Sequence, residues 1–75
     1  MLFRSRGAYA EAERALARAV ERSPDSGLLR YHLGMAYVRL ERPREAVIAL
    51  REAARLDAGL ARSERLDELI IGLGG

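Results

Sequence analysis

The chain contains no cysteine, no tryptophan and, since all thirteen of its basic residues are arginine, no lysine. Without cysteine there is no disulfide to staple a small fold and no thiolate to hold zinc or attack a substrate. Histidine occurs once, as His32, and no second His or Glu stands at a helical ligand spacing from it. The sequence therefore offers no catalytic, metal or cofactor constellation, and none is expected. Aromatic residues are only 5% of the chain, and β-branched residues are few, so strands are poorly supplied. No apolar run approaches the roughly 18 residues of a membrane span, and charge interrupts the first six residues where a secretory signal needs its apolar stretch. A cytoplasmic chain without a membrane partner is the expectation. At 75 residues there is room for one small domain, whose core alone offers a narrow margin of stability.

What is abundant is Ala, Leu, Arg and Glu, all strong helix formers. With 49% hydrophobic and 32% charged residues the chain is apolar enough to fold, and an all-α fold follows. The arginines are offset by eleven acids, for a net charge of +2, and the two signs are interleaved. That favours a solvated helical surface over a nucleic-acid footprint. The row Arg14, Arg18, Arg22 reads the same way, with Glu11, Glu13 and Glu21 beside it.

A repeat runs through the sequence. Met1 and Met35, Glu11 and Glu45, Ala12 and Ala46, Ala15 and Ala49, Leu16 and Leu50, and Ala19 and Ala53 are identical pairs 34 residues apart, with Phe3 matched to Tyr37. The matches fall where they matter, small residues where helices approach closely and large apolar ones at core spacing.

Local chemistry sets the element boundaries. Gly7 precedes a helix expected over Ala8 to Arg22 that buries Ala12, Ala15, Leu16, Ala19 and Val20. Pro24-Asp25-Ser26-Gly27 breaks the chain, and Asp25 or Ser26 can cap a helix starting near Gly27. This helix carries one stripe of Leu29, Leu33, Ala36, Tyr37 and Leu40 and a second of Leu28, Tyr31, Met35 and Val38, so it is covered on more than one side. Pro43 suits the first position of the next helix, which turns Ala46, Val47, Leu50, Ala53, Ala54 and Leu56 inward and ends at about Asp57. Gly59 is expected as its left-handed cap. A last helix, Leu60 to Ile71, is expected to gather Leu60, Leu66, Leu69 and Ile70 on one face before Gly72 to Gly75 fray.

Leu33-Gly34-x-x-Tyr37 followed by Ala46, Leu50 and Ala53 resembles the tetratricopeptide repeat, and the earlier copy is similar through Phe3, Gly7, Tyr9, Ala12, Leu16, Ala19 and Pro24. Arg30, Glu41 and Ala58 depart from it, standing where the family usually has Trp, Gly and Pro. The resemblance implies antiparallel helical hairpins stacked as a short right-handed α-solenoid. Residues 1–26 would form a truncated repeat, 27–59 a complete one, 60–71 a C-terminal capping helix and 72–75 a tail. In this register the N-terminal side looks cut and the C-terminal side finished. The resemblance also implies a protein-interaction scaffold without catalysis. Its groove-facing set, carried over from the first helix of each repeat, is Leu28, Tyr31, His32, Met35, Val38 and Arg39, taking a protein or peptide partner. Members that clamp a C-terminal carboxylate carry Lys, Asn and Arg on these positions, and Leu28, Tyr31, His32 and Met35 argue against that clamp. A second expectation is self-association, with Leu2, Phe3 and the uncovered side of the first helix forming an apolar edge that a homodimer would bury.

Overall fold

The computed structural model describes residues 6–75, and they form α1 (Arg6–Arg22), α2 (Gly27–Arg39), α3 (Pro43–Leu56), α4 (Ala58–Ser63) and α5 (Leu66–Gly72). No strand occurs among the described residues. Leu2 and Phe3, expected at an apolar edge, lie outside them. Among the described residues no helix is long and apolar enough to cross a membrane.

The break before α2 is made as its chemistry demands. Ser26 is the cap, its Oγ accepting from the Leu29 N–H at 3.1 Å, which satisfies one of the N–H groups a helix start leaves free. α2 then crosses α3 closely enough that glycine is required at Gly34. A Cβ there would stand 2.8 Å from Cγ and Cδ2 of Leu50, a side chain that is itself fully buried.

The turn between α2 and α3 closes as a Schellman motif: the Glu41 N–H donates to the Val38 carbonyl at 3.1 Å and the Arg42 N–H to the Tyr37 carbonyl at 2.9 Å. Its left-handed position is Glu41, with φ 59°, so the usual glycine is replaced by a residue that carries a Cβ penalty. Arg42 lies with its guanidinium carbon 5.0 Å from the centre of the Tyr37 ring and pairs with Glu45, fixing the start of α3. Pro43 opens that helix as expected.

The core is small and sits on α3: Val47, Leu50 and Ala53 cluster with Leu66 and Ile70 of α5, and Tyr31, Met35 and Leu69 pack around them. α3 thus touches α2 on one side and the C-terminal helices on the other. α1 leans on α2 alone to any extent and has no buried residue. Two polar links hold it there. The Tyr37 hydroxyl donates to Glu13 at 3.0 Å, and the Arg6 guanidinium donates to the Leu40 carbonyl at 3.1 Å while pairing with Glu41 at 2.7 Å.

Five expectations need correction. Gly7 does not precede the helix, since α1 runs through it and includes Arg6. The full burial expected of Ala12, Ala15, Leu16, Ala19 and Val20 is not reached, because nothing among the described residues covers the far side of α1. Gly59 does not cap α3. Asp57, in extended backbone, ends α3 and also caps α4, its Oδ1 accepting from the Leu60 N–H at 3.0 Å.

The expected helix from Leu60 to Ile71 is two helices, broken at Arg65 in the left-handed region, φ 52° and ψ 51°. At about 100° per residue a straight helix would leave Leu60 and Leu66 roughly 120° apart, so they could not share one face. Re-aiming α5 at Arg65 lets Leu66 become fully buried, which outweighs a left-handed cost of about 1–2 kcal/mol. The glycine tail is likewise ordered. Gly74, at φ 98°, completes a second Schellman turn, with the Gly75 N–H donating to the Ile70 carbonyl at 2.9 Å. Arg51 donates to the Gly75 carbonyl at 2.8 Å, laying the tail against α3.

Candidate interaction groove

Because α1 meets α2 along one flank only, the two helices leave a groove of about 570 Å³ lined by Tyr9, Ala12, Ala15 and Leu16 from α1 and His32, Met35, Ala36 and Arg39 from α2. The lining is nearly all carbon, so the groove gains from burying an apolar side chain and offers little to a polar one.

Helical geometry divides the six residues expected to face a partner. Leu28, His32, Met35 and Arg39 follow one another at four, seven and eleven residues along one side of α2. Three of them, His32, Met35 and Arg39, line the groove. Leu28 stands at the end of the same row, 51% exposed. Tyr31 and Val38 lie about a quarter of a turn away. Tyr31 reaches toward the C-terminal helices, where its hydroxyl donates to Glu64 at 3.1 Å and its ring packs against the core. Burial, and then the hydrogen bond to the Glu64 carboxylate, push its phenol above the usual range. Val38 is half-buried outside the groove. Met35 does both jobs, touching the core and lining the groove.

The polar groups at the rim are unequal. The Tyr31 ring stacks at a tilt on His32, with centroids 5.4 Å apart, which orients an otherwise exposed imidazole. Arg39 is exposed and makes no ion pair among the described residues. Some surface arginines are engaged, among them Arg55 with Glu52, whose carboxyl is held below its usual range by that hydrogen bond, and Arg42 with Glu45. The α1 half of the groove, with Tyr9 and Leu16 as its largest side chains, was missed in the sequence. The repeat register marks the first helix as uncovered on one side and the periodicity marks Leu16 as apolar-facing, but neither shows that this side forms one groove with α2.

A chain built of helices in antiparallel succession, with a small core threaded between hairpins and an open face along one of them, is a helical-repeat scaffold. Residues 3–67 match the tetratricopeptide repeat family. The chain belongs to that family, whose repeats generally mediate protein–protein interaction and are typically non-catalytic. No curated protein and no solved structure matches it. The family match ends at Asp67, within the first turn of α5.

Proposed function

We propose that this chain is an interaction module that receives an apolar helix or peptide segment in the groove between α1 and α2. The observation that carries this reading is the groove itself: an open, carbon-lined channel with Met35 and Leu16 inside and an unpaired arginine, Arg39, at its edge. Such a site takes a partner with large aliphatic or aromatic side chains on one face and a carboxylate placed to meet Arg39. Leu28 and His32 extend the same row and contribute shape and contact area. Tyr31 and Val38 support the row from behind, Tyr31 by tying α2 to Glu64. Binding proceeds by burial and charge complementarity, without bond making. The arginines of α1 are interleaved with acids, which suits protein binding better than nucleic-acid binding.

Selection from a displayed library of helical peptides tests this reading, run in parallel on the native chain and on Met35→Glu. The substitution changes an edge-of-core position, so its helical circular dichroism and thermal transition are checked first. Enrichment of apolar peptides bearing an acidic residue, lost with Met35→Glu and weakened with Arg39→Glu, is the expected outcome. Identical peptides retained by all three proteins would remove the groove from the account.

A further inference from the structure

Resting on the reading of this groove as a docking surface, we infer that one occupant is a second copy of the same chain, with the two α1 helices crossing antiparallel about a twofold axis. The open side of α1 is formed by Ala8, Ala12, Ala15 and Ala19, at spacings of four, three and four residues, so nothing beyond a Cβ holds another helix away. Tyr9 and Leu16 border this row on the side of α2 and, with Met35, supply the apolar area that a facing helix would cover. Glu11 and Arg18 border it on the other side, both exposed and neither in an ion pair among the described residues.

That last pair selects the occupant. Glu11 and Arg18 are seven residues apart and therefore on the same flank of α1. When two copies meet antiparallel, each Glu11 faces the Arg18 of the other copy, and the twofold axis makes the contact twice. A parallel twofold meeting would turn the two flanks to opposite sides of the contact, so that Glu11 and Arg18 would lie across from the Tyr9 and Leu16 flank and gain no charged partner. The flank is thus complementary to itself in one orientation. A partner unrelated in sequence would need its own matched charges, and this chain already carries them.

The test is sedimentation velocity and light scattering on the full chain over a concentration series. The native protein is expected to approach twice its 8.3 kDa chain mass as concentration rises. Ala15→Arg, at an exposed position, should retain the helical circular dichroism and remain a monomer. Glu11→Arg alone and Arg18→Glu alone should each weaken the dimer about tenfold, as two exposed attractive contacts become repulsive. Mixing these two variants should restore association as a heterodimer, and the double charge swap in one chain should restore the homodimer. A native chain that stays monomeric throughout overturns the pairing and leaves the groove reading to the peptide selection. A dimer indifferent to Ala15→Arg and to the charge exchange also overturns it, since that dimer would use another surface.

Discussion

α1 and α3 carry the same apolar pattern 34 residues apart, and they meet different fates. Ala46, Ala49, Leu50 and Ala53 of α3 are buried, whereas their register partners Ala12, Leu16 and Ala19 are half-exposed and Ala15 is exposed. At these matched positions the residues and their spacing are identical. What differs is the number of neighbours: α3 lies between α2 and the α4–α5 pair, and α1 rests on α2 alone. An amphipathic stripe records what a helix is able to bury. Whether burial happens depends on the company the helix keeps, and a stripe left open in a scaffold is a place for a partner.

The sharpest way to break the comparison is to truncate the two register-equivalent leucines. Leu50→Ala, at a fully buried site against which Gly34 is fitted, is expected to cost about 3–5 kcal/mol, enough to abolish cooperative unfolding in a domain this small. Leu16→Ala is expected to cost about 1 kcal/mol under conditions where the chain is monomeric. Urea denaturation measures both, and equal losses would erase the distinction between the helices. A second loss is expected at the α2–α3 crossing, where Gly34→Ala should destabilise by about 1–2 kcal/mol, because the new Cβ collides with a buried leucine by more than alanine's helical preference returns.

The α2–α3 turn offers a gain. Glu41→Gly should raise stability by about 1 kcal/mol, since glycine bears no penalty in the left-handed position and the exposed ion pair with Arg6 that is lost contributes little. An unchanged denaturation midpoint would mean that the turn is not strained as its φ implies. The smallest effect concerns the link between α1 and α2. Burial, followed by the hydrogen bond to Glu13, raises the Tyr37 phenol above its ordinary range, so the folded chain holds that proton more tightly than the unfolded one. The contribution is present below the unfolded tyrosine value near 10 and is lost as pH climbs through the folded value. Tyr37→Phe should cost less than about 1 kcal/mol at neutral pH and flatten part of the alkaline decline, read by thermal melts across that range.

How much of this was legible in the sequence follows the same division. The α2–α3 hairpin was readable from Pro24-Asp25-Ser26-Gly27, Pro43 and the Leu33-Gly34-x-x-Tyr37 core, because its determinants are local or belong to the repeat. The break at Arg65 was not, since it arises from a competition between a straight helix and the burial of Leu66 that only the three-dimensional arrangement decides. The ordered glycine tail escaped for a similar reason: the stretch from Gly72 to Gly75 has no side-chain pattern except at Leu73, and its place is set by Val47 and Arg51 of α3. Of the groove, the α2 row of His32, Met35 and Arg39 was readable through the family resemblance. The α1 wall was legible only in part: the repeat register marks the first helix as uncovered on one side, but not that Tyr9 and Leu16 share a groove with α2.

Amide hydrogen exchange, followed residue by residue at two chain concentrations, tests most directly the claim that α1 presents an open face awaiting a partner. At dilution, amides of α3 around Leu50 and Ala53 should be the most protected and those of α1 among the least, and raising the concentration should slow exchange in α1 while leaving α3 unchanged. Protection of α1 equal to that of α3 at the lowest concentration would contradict it.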